Sequence, residues 1–251
     1  MRDPATLEPA ATALVMCRDA QVTESIVESL RPLAIRPEIC EEAVAANSLL
    51  DRQKFEAVIV DLRLGEEARL VMGHLRFSRA NHTAVTFTIT SGDPAQQAGD
   101  KPDSTFVLQR PLSVATISPI LRAAYGLVVR ERRRYFRCPV AIPVYVDAQG
   151  PKELLCQTVN ISEGGIAIRC PTALDADVPL RVRFSLPDRS NRVFAETKVC
   201  WRGEGKLVGL AFQFLPPLQK SELQEWLARK LEETLPLEVA TLFRSAGQVP
   251  P

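Results

Sequence analysis

Four arginines, Arg132, Arg133, Arg134 and Arg137, crowd into the stretch ERRRYFR (131–137) of a 251-residue chain whose formal net charge is only +1. Guanidinium groups this close repel one another unless an anion sits among them. Their planar forks match phosphate oxygens and also the O6/N7 edge of guanine. Beyond Arg137, 22 residues intervene before NISEGG, Asn160 to Gly165. There Asn160 offers an amide and Ser162 a hydroxyl, while Gly164 and Gly165 allow positive φ and close backbone approach. A flexible arginine arm facing such a turn would suit a compact anion that carries both phosphate and base.

Other chemistries are poorly supplied. The two histidines, His74 and His82, and six cysteines without a C-x-x-C spacing give no zinc site and no Cys-His or Ser-His-Asp arrangement. No G-x-x-x-x-G-K or H-E-x-x-H occurs, so neither an enzyme nor a metal or cofactor is expected. The cysteines read as reduced core residues of a cytosolic protein. The first residues lack the apolar run of a signal peptide, and no stretch approaches a membrane span, so a cytoplasmic location is expected. Residues 1–126 carry a formal −3 and residues 127–251 a formal +4. With 6% aromatic residues and RYF the sole basic–aromatic interleaving, a nucleic-acid-binding barrel is a disfavoured alternative.

Two halves differ in hydrophobic period. Up to about residue 126, short apolar runs (ATALVMC, RPEIC, FEAVIVDLRL, TAVTFTIT, TFVLQRP) alternate with helix-like stretches, and Asp19 is a plausible helix cap. Strands apolar on both faces and joined by helices predict a parallel sheet covered on each side. The turn SGDP follows the fourth strand, and SVATISPILRAAYGLVVRERR is the last helix of this half. Six short, largely alternating strands then follow between residues 140 and 215, which predicts a barrel or sandwich. Residues 216–233 form one amphipathic helix with Leu218, Leu223, Trp226, Leu227 and Leu231 on its apolar face. Residues 236–251 read as a flexible tail.

R-x-x-x-R (Arg133 to Arg137) followed by N-x-S-x-x-G (Asn160, Ser162, Gly165) resembles the signature of the PilZ domain, over about residues 128–235. The late VCWRGEGKLVGLAFQFL, an aromatic before a loop and a G-x-x-F strand, fits the same family. The resemblance implies a six-stranded antiparallel β-barrel with a C-terminal helix. It also implies binding of cyclic di-GMP as a ligand. Arg133 and Arg137 would grip phosphates and guanine edges, Arg132 or Arg134 would add a contact, Asn160 and Ser162 would hydrogen-bond the ligand, and Gly165 would keep the turn open, with Gly164 beside it among the ligand-binding residues.

The first half, residues 10–126, resembles the receiver domain of response regulators, a flavodoxin-like fold. Asp61 matches the phospho-acceptor and Thr90 the switch hydroxyl. Cys17 and Arg18 stand where an acidic, metal-holding pair is expected, and Arg110 stands where a lysine is expected. Arg18 is expected to pair with Asp61. The resemblance thus implies a pseudo-receiver that docks an unidentified protein partner or forms a homodimer. The whole reads as a cyclic di-GMP sensor in which the arginine arm and the turn clamp the dinucleotide and reorient the pseudo-receiver. The alternative is a response regulator phosphorylated at Asp61 with a PilZ output.

Overall fold

A computed structural model describes residues 11–91, 105–147, 153–172, 174, 178–189 and 191–246. The SGDP turn lies outside these from Gly92 onward, as do residues 247–251 of the expected tail. The chain divides into two compact units, one comprising residues 1–132 and 234–251, the other residues 133–233.

The first unit is built on five parallel strands: β1 (Ala11–Met16), β2 (Ile35–Cys40), β3 (Ala57–Asp61), β4 (Val85–Thr90) and β5 (Thr105–Gln109). Their order, β2-β1-β3-β4-β5, is the flavodoxin-like doubly wound order. Helix α1 (Ala20–Leu30) is capped by Asp19, whose side chain accepts from the Val22 amide at 3.3 Å. Helices α2 (Ala43–Arg52) and α3 (Glu66–Phe77) pack on one face of the sheet, over Leu14, Met16, Val58 and Val60. The alternate residues Ala13, Val15 and Ile59 are equally buried on the opposite face, because successive strand side chains alternate sides. Helix α4 (Val114–Tyr135) meets α1 where the Ser118 and Ser29 hydroxyls lie 3.2 Å apart.

The end of α4 explains half of the arginine cluster. Glu131 is buried and accepts hydrogen bonds from Lys54 and Thr83. Arg132 lies 3.7 Å from the buried carboxylate of Glu56. Arg132 to Arg134 are therefore helical, in place of the flexible arm expected from sequence.

The expected tail also differs. Residues 237–246 form helix α6 (Leu237–Ala246), and Ala240 and Phe243 are buried. The spacing of Leu235, Ala240 and Phe243 gives this short segment an apolar stripe, which is why it is ordered as a helix.

The second unit is a closed barrel. Its strands are β6 (Cys138–Pro139), β7 (Pro143–Asp147), β8 (Leu154–Ser162), β9 (Gly165–Arg169), β10 (Leu180–Ser185), β11 (Arg192–Arg202) and β12 (Leu207–Phe214). Six run antiparallel in the order β8-β7-β10-β11-β12-β9, and β9 pairs back onto β8, leaving no free edge. The two-residue β6 adds to the far side of β8 through Cys138↔Ile161 and Pro139↔Asn160. Val144, Val146, Ile168, Val182, Phe184 and Leu210 fill the interior. Helix α5 (Pro217–Glu232) buries Leu223, Trp226, Leu227 and Leu231, and the Trp226 indole donates to the Pro187 carbonyl at 3.1 Å. Leu218, expected on that apolar face, is 82% exposed, because it sits in the first turn off the buried stripe.

Candidate functional site

The short pairing of β6 with β8 sets the geometry of the site. Continuing that antiparallel register by one residue places Arg137 opposite Ser162, at the mouth of the β8–β9 hairpin. The hairpin turn is Glu163-Gly164. It is closed by the Ser162 hydroxyl, which donates to the Gly165 carbonyl at 3.1 Å, and the Phe212 amide donates to the Gly164 carbonyl at 2.9 Å.

Gly165 is required by crowding. A β-carbon there would fall 2.1 Å from the carbonyl oxygen of Leu210 on β12. The positive φ that Gly164 and Gly165 allow is not used; among the described glycines only Gly65 and Gly205 have it. Gly165 alone serves the close approach of β9 to β12, whereas around Gly164 the space is open.

Two β-bulges re-aim side chains toward this corner. The β8–β9 register shifts between Thr158 and Asn160, so Val159 and Asn160 both leave the barrel interior while Ile161 returns to it. The β11–β12 register shifts between Val199 and Trp201, so Cys200 and Trp201 both face outward. Trp201 pairs with Gly209, and its indole occupies the space that any side chain at 209 would need.

The result is an open cleft of about 470 Å³, within the usual size range of small-molecule sites. It is lined by Arg134 and Arg137, by Asn160, Ser162, Gly164 and Gly165, and by Glu163 of the same turn. Tyr135 and Trp201 add two aromatic rings, and Lys220 and Gln224 of α5 add a cation and an amide. Arg134 and Arg137 are exposed and have no carboxylate partner among the described residues. They keep their charge available for an anion.

Arg132 and Arg133 do not line the cleft. Arg132 pairs with Glu56, and Arg133 lies 3.4 Å from Glu232 on α5. Burial lowers the Arg133 pKa, which Glu232 and Glu163 partly offset. The expected mutual repulsion of four bare arginines is thus relieved for two of them by internal carboxylates. Sequence reasoning missed Tyr135, Lys220 and Gln224 altogether. It noted Trp201 only as part of a family pattern, although its pairing with a strand glycine was a usable signal.

A second polar cluster lies at the C-terminal ends of the parallel strands. Asp61 is 2% exposed and its oxygens are fully engaged. Arg110 donates to Oδ2 at 2.7 Å, the Arg63 guanidinium at 3.2 Å, and the Arg63 amide to Oδ1 at 3.1 Å. Asp19 is held by the same two guanidiniums, at 2.9 Å from Arg110 and 3.1 Å from Arg63. Burial pushes the Asp61 carboxyl up, but the Arg63 amide and the two guanidiniums outweigh it and hold the group below its ordinary range.

Arg18 does not reach Asp61, contrary to expectation. Its Nη2 donates to both carboxylate oxygens of Glu67 on α3, at 2.8 and 2.9 Å. Cys17 stands beside Asp61 instead, its sulfur 3.7 Å from Oδ2. Thr90 is buried, and its hydroxyl has no hydrogen-bond partner among the described residues. Among the described residues no cluster of three metal-ligating side chains forms, and no helix is long and apolar enough to cross a membrane.

The second unit is thus a closed six-stranded barrel with a C-terminal helix and an arginine-bordered cleft. Residues 131–229 match the PilZ domain family, and this part of the chain is a PilZ domain. The N-terminal unit has the flavodoxin-like doubly wound fold. The PilZ match supports a protein of cyclic di-GMP signalling. No curated protein matches the sequence.

Among solved structures, the PilZ domain of CeSA from a cellulose-synthesizing bacterium is 22% identical, with a TM-score of 0.31, covering 37% of this chain and 94% of that one. The Bacillus subtilis inhibitor of motility is 20% identical, with a TM-score of 0.35, covering 39% of this chain and 51% of that one. The receiver domain of a sensor histidine kinase from Pseudomonas aeruginosa, solved with a magnesium ion, is 19% identical, with a TM-score of 0.38, covering 46% of this chain and 98% of that one.

Proposed function

We propose that the barrel cleft binds cyclic di-GMP and that the receiver-like unit is a pseudo-receiver that docks a protein partner. The observation that carries this reading is the convergence of Arg134, Arg137, Asn160 and Ser162 on one cleft with an exposed indole. The guanidiniums and Lys220 take the phosphates, Trp201 and Tyr135 offer faces on which guanine stacks, and the Asn160 amide and Ser162 hydroxyl take hydrogen bonds. Arg133 joins them only by leaving Glu232.

Asp61 is unsuited to accept a phosphoryl group as it stands. Its oxygens are occupied by two guanidiniums and an amide, and positive charge is supplied there by protein groups. This favours a docking role over a kinase-driven one. Occupancy of the cleft is further proposed to reorient the pseudo-receiver, because the boundary between the units falls inside α4, just before Arg133. Small-angle scattering with and without ligand tests that step, and an unchanged profile counts against it.

The binding itself is tested by thermal unfolding of the full chain. A ligand that binds only the folded state raises the melting temperature with concentration. Cyclic di-GMP is expected to do so for the wild type, and to a smaller extent at each concentration for Arg137→Ala.

A further inference from the structure

The Arg133–Glu232 pair occupies a particular place in the chain. Arg133 is the first residue of the barrel unit and Glu232 the last but one, so the pair ties together the two ends of that unit. Both side chains are largely shielded, at 22% and 12% exposure, and their charged atoms are 3.4 Å apart. Arg133 directly precedes Arg134, which lines the cleft, and follows the helical turn anchored by Glu131 and Arg132. Glu163, another lining residue, is near enough to act electrostatically on Arg133.

We infer that Glu232 is a built-in competitor for Arg133: a phosphate in the cleft draws the guanidinium away from Glu232, and the ion pair must open for full binding. The inference rests on the reading of the cleft as a cyclic di-GMP site. Arg133 reaches Glu232 through Nη2 alone, and a guanidinium that turns its two parallel donors to a phosphate in the cleft gives up that contact. The ligand therefore binds against the cost of the opened pair. Its arrival also frees the last turn of α5, next to the point where the chain leaves the barrel unit. The cleft and the two chain crossings are in this way linked through one side chain.

The test is calorimetric titration of the full chain with cyclic di-GMP, using wild type, Glu232→Gln, Arg133→Ala and the double variant. Removing the competing charge should tighten binding roughly five-fold, the effect of losing one partly shielded ion pair. In the Arg133→Ala background the same substitution should change nothing. Wild-type binding with Glu232→Gln equal to or weaker than wild type overturns the inference and leaves the reading of the cleft intact. No binding by the folded wild type overturns both.

Hydrogen exchange on the wild type decides the matter should Glu232→Gln fold poorly. Amides of Arg229 to Glu233 should exchange several-fold faster with ligand bound. Unchanged or slower exchange there, with ligand bound, overturns the inference.

Discussion

The indole of Trp201 lies against Gly209 across the β11–β12 pair, so closely that a β-carbon at 209 would stand 2.1 Å from Nε1. The bulge before Trp201 turns the ring outward and Gly209 leaves room for it. Trp201 is 37% exposed at the cleft, whereas the second tryptophan, Trp226, is buried under α5. Cyclic di-GMP should therefore change the emission of Trp201 alone. Trp201→Ala should abolish the ligand-dependent change and weaken binding by about 1–3 kcal/mol, the value of one aromatic–base stack. Gly209→Ala should have a similar effect on binding by displacing the ring. A ligand-dependent signal that survives in Trp201→Ala would place the ligand elsewhere.

The arginines should separate by role. Arg134→Ala and Arg137→Ala should leave stability nearly unchanged, because both side chains are exposed and without carboxylate partners among the described residues. Both should weaken ligand binding. Arg132→Ala should do the reverse: it removes the cation beside the buried Glu56 carboxylate, whose other oxygen Thr12 holds, and should lower stability by roughly 1–2 kcal/mol while leaving affinity alone. Urea unfolding beside ligand titration of the three variants distinguishes the roles, and equal effects on affinity would refute them.

Much of the fold was legible because its signals are local. Alternation in β7, β8, β10 and β11 and the apolar runs of β1 and β3 mark the two halves directly. The motif residues Arg137, Asn160, Ser162 and Gly165 do meet at one cleft. The rest depends on contacts distant in sequence. Lys220 and Gln224 arrive there only because α5 returns beside the β8–β9 turn, where Gln224 donates to Glu163 at 3.2 Å. Arg18 was assigned to Asp61 by proximity in a motif, yet Glu67 competes for it from α3, and Arg63 and Arg110 already saturate Asp61. Composition shows four arginines. Which of them are neutralised internally depends on Glu56 and Glu232, 76 and 99 residues away from Arg132 and Arg133.

Asp61 predicts a pH dependence. Its carboxyl titrates below the ordinary range in the folded state, so the ionised form stabilises the fold above the unfolded pKa of about 3.9. That stability is lost as pH falls through the lower, folded value. Asp61→Asn should therefore be less stable than wild type at pH 7, by roughly 2–4 kcal/mol for a buried charge network deprived of one partner. The gap should close as the pH falls toward 3. Unfolding curves at pH 7 and pH 3 measure it, and a gap that stays constant would contradict the assignment.

The same network predicts chemical silence. Incubation with a small phosphodonor and Mg²⁺ should add no phosphoryl group to the wild-type chain, and its intact mass should match that of Asp61→Asn treated alike, apart from the substitution. A stable adduct mapped to Asp61 would restore the kinase-controlled alternative.

Calorimetric titration of the full-length wild type with cyclic di-GMP bears most directly on the cleft. Saturable heat with a micromolar-class dissociation constant is expected, weakened by at least about 2 kcal/mol in Arg137→Ala through loss of a charged, bidentate contact. A correctly folded wild type that gives no binding heat at about 1 mM ligand, where a micromolar site is saturated, would contradict it.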